Sequence, residues 1–229
     1  QIMVGSVPVG GGAPVAVQTM TKTETANLPA TMDQIHKVAE AGADIVRVAV
    51  PRDRDIEALR TIVVQSPIPV IADIHFNHTL ALKAIDAGAH CIRINPGNIG
   101  GPEKVAEVAE RAAAKGVPMH IGVNSGSLPK HLHALERENP VEALVTAAVE
   151  FVDLMERLDF QNFKVSIKST SVPNTIASNR LLSERRSLEP DIPIHVYRDD
   201  FGNEVWRWTA PAGMLTYLGV TAGIPNLSQ

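Results

Sequence analysis

The chain has 229 residues, 45% of them hydrophobic and 20% charged, with a formal net charge of −4 and a pI near 6.1. That length can bury one large core or two small ones, and the mild negative charge gives no general pull toward nucleic acid or anionic membranes, so any anion site must be a local cluster. Apolar runs are too short for a membrane span, and one cysteine excludes an intramolecular disulfide framework and fits a reducing compartment.

The segment VGSVPVGGGAP (4–14) reads as a small hairpin suited to plugging the bottom of a barrel. Its Gly10-Gly11-Gly12 run lacks the following Lys-Ser/Thr and helix of a phosphate-binding P-loop. From there one pattern recurs: a short β-branched run, a polar terminus, then an amphipathic stretch. The predicted strands are 15–20, 44–50, 69–76, 90–96, 118–124, 163–169 and 193–197. Helices are predicted near 30–42, 53–66, 79–89, 102–116, 140–159 and 174–188. Asn139 before Pro140 and Ser171 before Pro173 read as caps, and Gly42, Gly88 and Gly116 as helix stops.

Strands alternating with helices imply parallel pairing through right-handed crossovers. A doubly wound sheet and a (β/α)8 TIM barrel both satisfy that order. The barrel is favoured because polar residues stand at most strand ends and no Gly-rich dinucleotide turn follows the first strand. Seven strands are legible and the eighth is not, so the expected fold is a TIM barrel incomplete at its C-terminal end. From about 185 onward the pattern breaks, and both tryptophans and both tyrosines lie in this last segment.

Ligand-binding groups converge at the C-terminal ends of barrel strands. The residues available there are Gln18, Thr19 and Thr21; Arg47; Asp73 and His75; Arg93, Asn95 and Asn98; His120, Asn124 and Ser127; and Lys164 and Lys168. Arg47, Arg93 and Lys168 put cations on three strands, and a phosphate or diphosphate would supply the missing charge in a form that suits an arginine fork. The plainer reading pairs each arginine with a carboxylate, for example Arg47 with Asp73. Asp73 and His75 share one strand face, where they can do acid–base work or orient a ligand, and a hydrogen-bonded barrel-end histidine is the alternative. The turns at 95–100 and 122–127 carry glycines that would let backbone N–H groups cradle an anion, or they are ordinary turns with Asn caps. His131 and His133 read as solvated, and Cys91 as a buried core thiol without a paired base.

Taken in order, PVAVQTMT (14–21), DIVRVAVP (44–51), PVIADIHF (69–76), IRINPGNIG (92–100), IGVNSGSL (121–128), FKVSIKS (163–169) and NRLLSE (179–184) closely resemble the hydroxymethylbutenyl diphosphate synthase family of the methylerythritol phosphate route to isoprenoids. The resemblance runs from about 2 to 196. It implies a bacterial, cytoplasmic, dimeric enzyme: a TIM barrel joined to a smaller domain that holds a [4Fe–4S] cluster on three cysteines and a glutamate. Such enzymes reductively open the cyclic diphosphate of methylerythritol with two electrons from ferredoxin or flavodoxin and expel water. By motif position Arg47, His75, Arg93, Asn124 and Lys168 would bind the diphosphate, Asp73 and Asn95 would line and orient the site, and Asp73 and His75 are the catalytic candidates.

The chain departs from that pattern in three places. His120 stands where the family usually has arginine, no Cys-Pro-x-Cys motif is present, and the Thr-Glu-x-Gly turn expected after His195 is missing. Dropping one nucleotide from codons for Tyr197–Thr209 permits a Val-Thr-x-Ser-Gly-Thr run in register with the family's turn. The expectation is therefore a barrel over 1–196, a tail over 197–229 whose reading frame is shifted, no encoded cluster domain, and no turnover by the isolated chain; the alternatives are a non-catalytic barrel fragment and a pterin-binding-type barrel synthase.

Overall fold

The computed structural model describes residues 1–186, 194–198 and 204–208. An antiparallel hairpin of β1 (Ile2–Val4) and β2 (Val7–Val9) opens the chain. Six parallel strands follow: β3 (Gln18–Met20), β4 (Ile45–Ala49), β5 (Val70–Ile74), β6 (Cys91–Ile94), β7 (Met119–Asn124) and β8 (Phe163–Lys168). Their order in the sheet is their order in the chain. A doubly wound sheet would reverse direction at a switch point, so this winding is that of a barrel. Between the strands run α1 (Leu28–Glu40), α2 (Asp53–Gln65), α3 (His78–Asp86), the short α4 (Pro96–Ile99), α5 (Pro102–Lys115), α6 (His133–Glu138) and α7 (Pro140–Arg157), and α8 (Val172–Arg186) follows β8. None of the described helices is long and apolar enough to cross a membrane.

The helix boundaries follow local chemistry. Asn139 Oδ1 accepts from Glu142 N at 3.1 Å and Ser171 Oγ from Asn174 N at 3.4 Å, so both predicted caps are made. Gly42, Gly88 and Gly116 have φ of +93°, +92° and +67°, the left-handed turn that ends a helix cheaply only at glycine. Asp55, fully buried at the start of α2, was not anticipated. Its carboxylate accepts from Ala26 N and Arg52 N and ties the loop after β3 to the next unit.

Alternation along each strand sorts residues into two cores. One parity (Val46, Val48, Val70, Ala72, Ile74, Ile92, Ile94, Ile121, Val165, Ile167) packs under the helices in the large cluster. The other faces inward, and its lowest members Ile45, Ile71 and Cys91 pack against Ile2, Val4 and Val9 of the hairpin, which plugs that end as expected but spans 2–9 and not 4–14. Lys164 on β8 donates to Gln18 on β3 at 3.3 Å, although these are the two outermost strands of the sheet. Flat, strands five spacings apart would stand about 24 Å from each other. The sheet is therefore curled into an open half-barrel.

The seventh predicted strand behaves differently. β9 (Ile194–Arg198) pairs antiparallel with β10 (Glu204–Trp208) and does not join the six-stranded sheet. A partner five residues away closes a hairpin with far less loop entropy than a place in a distant sheet edge, and the alternating Glu-Val-Trp-Arg-Trp supplies a ready strand. The rest of the expected tail, 199–203 and 209–229, lies outside the described residues, as do the side chains of β9 and β10.

Candidate functional site

Register places an unbroken row of ionisable side chains on the inner face of the half-barrel. Asp73 on β5 pairs with Arg93 on β6, Arg93 with His120 on β7, and His120 with Lys164 on β8. All four are almost fully buried. Parallel in-register strands fix this neighbourhood, because each inward side chain has its counterpart on the next strand beside it.

Asp73 is the hub. Arg93 Nη1 donates to Oδ1 at 2.9 Å, Arg47 Nε lies 3.1 Å from Oδ2, and His75 Nε2 stands 3.7 Å from Oδ2, an electrostatic contact longer than a hydrogen bond. Burial alone would push this carboxyl up; the imidazole and the two guanidiniums outweigh that and leave it below its ordinary 3.8. The pairing of Arg47 with Asp73 that the sequence offered as the plainer reading is thus present. It does not neutralise the cluster, because Arg93 shares the same carboxylate. Arg47 also points Nε and Nη2 at Met20 Sδ, at 3.3 and 3.2 Å. Arg93 lies flat against Gly122, where a Cβ would come within 2.5 Å of Nη2 and 2.6 Å of Nε.

Two residues of this row fell outside the proposed diphosphate contacts. Lys164 is nearly fully buried; desolvation first, and then Arg47, lower its pKa. The period-two pattern Lys164-x-Ser166-x-Lys168 marks one inner face and was the available signal. His120 Nε2 lies 2.8 Å from Ser166 Oγ, and burial followed by the charges of Lys164, Arg47 and Arg93 holds the imidazole well below its ordinary 6.5.

Of the other sequence candidates, Asn124 and Lys168 are register partners at the ends of β7 and β8, half-buried and exposed respectively. Asn95 caps α4, accepting from Gly97 N at 3.0 Å and donating to Ser127 Oγ at 2.9 Å, so it locks two loops together. The turn at 95–100 therefore follows the Asn-cap reading: Gly97 N is held by the Asn95 side chain and Asn98 N by its carbonyl. In the second turn Gly126 N donates to Glu136 Oε1 and Ser127 N to Asn124 O. Thr21, buried, carries a hydroxyl without a hydrogen-bond partner among the described residues. Gln18 engages Lys164, while Thr19 belongs to the opposite parity from Gln18 and Met20. His131 pairs with Glu150 at 3.0 Å and His133 Nε2 meets Leu128 O at 3.0 Å.

A cluster held by three cysteines and a glutamate does not fit these residues. The chain has a single cysteine, fully buried in the bottom apolar layer, whose thiol burial pushes up to about 12. Among the described residues no group of three or more His, Cys, Asp or Glu is placed to hold a metal.

Comparison with known proteins adds to this geometry. Residues 1–204 match the family model described as GcpE TIM-barrel domain. A protein of Magnetococcus marinus named 4-hydroxy-3-methylbut-2-en-1-yl diphosphate synthase (flavodoxin) is 47% identical over 195 residues, covering 85% of this chain and 52% of that protein. Proteins of the same name from Hahella chejuensis and Aquifex aeolicus are 49% identical over 185 residues and 44% identical over 223, covering 50% and 61% of those proteins. The chain thus spans about half the length of the relatives it matches. Among solved structures, a type I 3-dehydroquinate dehydratase from Clostridium difficile superposes with a TM-score of 0.58 at 17% identity, covering 88% of this chain and 81% of that one. The Yersinia pestis dihydropteroate synthase gives 0.52 at 15%, covering 74% and 64%. At such identities these likenesses concern the fold alone.

Proposed function

The chain belongs to the GcpE TIM-barrel family, and from that membership we propose that it supplies the substrate barrel of a 4-hydroxy-3-methylbut-2-en-1-yl diphosphate synthase. The observation that carries the reading is the inner face on which buried Arg93 and partly exposed Arg47 share the single carboxylate of Asp73, with buried Lys164 two strands beyond Arg93. Cations taken out of water in excess of their carboxylates are costly unless a ligand completes the charge, and a diphosphate does so in a geometry suited to guanidinium forks.

In this proposal Arg47, His75, Arg93, Asn124 and Lys168 grip the diphosphate of 2-C-methyl-D-erythritol 2,4-cyclodiphosphate, and Asp73 and Asn95 hold Arg93 and the loop at Ser127 in place. Asp73 keeps the arginines fixed without taking a proton, since the His75 imidazole and the two guanidiniums hold it ionised. His75, with a side chain 43% exposed, stands at the open end of the cluster, where an imidazole can hand a proton to a departing oxygen. Reductive ring opening consumes two electrons, and flavodoxin, printed in the relatives' name, is the proposed donor. The [4Fe–4S] centre proposed for the complete enzyme would be held by residues other than those in 1–229, in a second domain closing over the barrel of a homodimer. Residues 1–196 are proposed as the barrel unit, and 197–229 as a tail read in a shifted frame.

Calorimetry with the cyclic diphosphate tests the reading. The folded chain should bind it, and Arg93→Ala, which removes a charge-assisted fork worth about 1.5–3 kcal/mol, should weaken binding about 10- to 100-fold. An affinity unchanged by Arg93→Ala, with circular dichroism confirming both folds, rules this site out. The single cysteine favours a second reading of these 229 residues as a binder without turnover. Substrate, reductant, iron and sulfide added to the isolated chain should then give binding and no product.

A further inference from the structure

His120 is the one imidazole of the inner row, and burial with the cations around it holds it neutral. Its register partners are Arg93 on β6 and Lys164 on β8. The side chain is 1% exposed; Nε2 is 2.8 Å from Ser166 Oγ on β8, and Nδ1 is buried with no hydrogen-bond partner among the described residues. Arg93 Nε, on the neighbouring strand, is likewise buried and without a partner. Two adjacent residues of one row thus carry buried polar atoms with no hydrogen-bond partner among the described residues, orphans of the kind that a bound ligand or an ordered water answers.

The groups around the imidazole explain its state. From β6 comes Arg93, from β8 Lys164, and from β4 Arg47, all of which oppose a further positive charge. The carboxylate on β5, Asp73, is engaged by Arg93 and Arg47. Cys91 on β6 is kept a neutral thiol by burial, and Gln18 on β3 accepts from Lys164. The surroundings therefore keep His120 neutral, with Nδ1 bare if Nε2 donates to Ser166. An anion against the same row inverts this balance, because it offsets the flanking cations and gives an imidazolium N–H an acceptor.

We propose that His120 is a proton-linked binding residue: an anion of phosphate type lodged against Arg93 and Lys164 binds together with one proton, taken up at His120 Nδ1. The inference rests on the reading of this barrel as a diphosphate site and adds to it a pH dependence that an arginine in the same place would not have. Between the imidazole's pKa in the empty site and its higher pKa in the filled one, affinity falls as pH rises, by about tenfold per unit for one linked proton. Above the filled-site pKa the grip loses its third donor and becomes pH-independent.

Calorimetry with inorganic pyrophosphate, run from about pH 6 to about pH 9 in buffers of differing ionisation enthalpy, reads the linkage directly. His120→Gln preserves a partner for Ser166 and cannot titrate, so it subtracts the protons that pyrophosphate itself exchanges. The unaltered chain should take up about one proton more per ligand than the variant, with a correspondingly steeper loss of affinity as pH rises. Equal proton uptake in the two chains overturns the inference and leaves the diphosphate site standing. Absence of pyrophosphate binding to the unaltered chain at every pH overturns both. If His120→Gln does not fold, nitrogen NMR of the imidazole in the unaltered chain decides: Nδ1 must pass from bare to protonated when pyrophosphate is added near neutral pH, and a ring that stays neutral in the complex refutes the proposal.

Discussion

Asp73 carries more of the site than any other side chain. It is buried, it receives Arg93 and Arg47 at 2.9 and 3.1 Å, and its ionised form is held below the ordinary carboxylate value. A depressed folded-state pKa means stability that is present above 3.8 and is lost as pH falls through the lower folded value. Urea unfolding should therefore show an acid-labile component below about pH 4 that Asp73→Asn lacks. At neutral pH the same variant leaves two guanidiniums facing each other without their carboxylate, and it should lose about 3–5 kcal/mol. A loss under about 1 kcal/mol would mean that the cluster does not hold the strands as described. The alternation in Asp-Ile-His was enough to put Asp73 and His75 on one face. It could not reveal that both arginines converge on the same oxygen pair, since that depends on neighbouring strands and not on spacing within one.

At the level of elements, the contact between β6 and β7 shows how a strand is shaped around its neighbour's side chain. Arg93 reaches Asp73 while its guanidinium rests on Gly122, and any side chain there must displace the fork: a Cβ would sit 2.5 Å from Nη2 and 2.9 Å from Cζ. Gly122→Ala should push the fork away from its carboxylate. We expect about tenfold weaker pyrophosphate binding and a stability loss of about 1–3 kcal/mol, the usual cost of overpacking, read by calorimetry and thermal melts. Unchanged affinity would show that the fork is not held by this contact. The helices were easier to read than the turns. Asn139, Ser171 and the three terminal glycines act through bonds within a few residues, so their chemistry shows in the sequence. The turns at 95–100 and 122–127 looked suited to an anion, yet their N–H groups are engaged by Asn95, Asn124 and Glu136. The Glu136 partner comes from α6, beyond the reach of a local pattern.

At the scale of the whole molecule, residues 1–186 form a half-barrel of six in-order strands with a hairpin plug and a chemically unusual inner face. The family match reaches residue 204, and matches to relatives run over 185, 195 or 223 residues, the last extending through most of the tail. The shifted-frame proposal for 197–229 is settled by the gene. Its nucleotide sequence around codon 196 should contain, one base out of register, an open frame that runs into a Cys-Pro-x-Cys motif, and an alternate frame riddled with stops would end the idea. The seventh strand marks the limit of pattern reading at this scale. PIHVY is a strand, as predicted, but whether a strand joins a sheet or folds back on its neighbour is decided by which partner is nearer and better matched.

By itself the sequence determined the alternation of strands and helices, the caps and stops, the two parities of every strand, and a set of cations that no general charge excess explains. These are local properties, set by backbone geometry and by burial of one face. Only the tertiary structure decided which cations share Asp73, that Lys164 reaches across the curled sheet to Gln18, and that His120 is enclosed between Arg93 and Lys164 with one nitrogen unpartnered among the described residues. Those facts depend on register between strands up to 146 residues apart in the chain, and electrostatic energy follows distance in space.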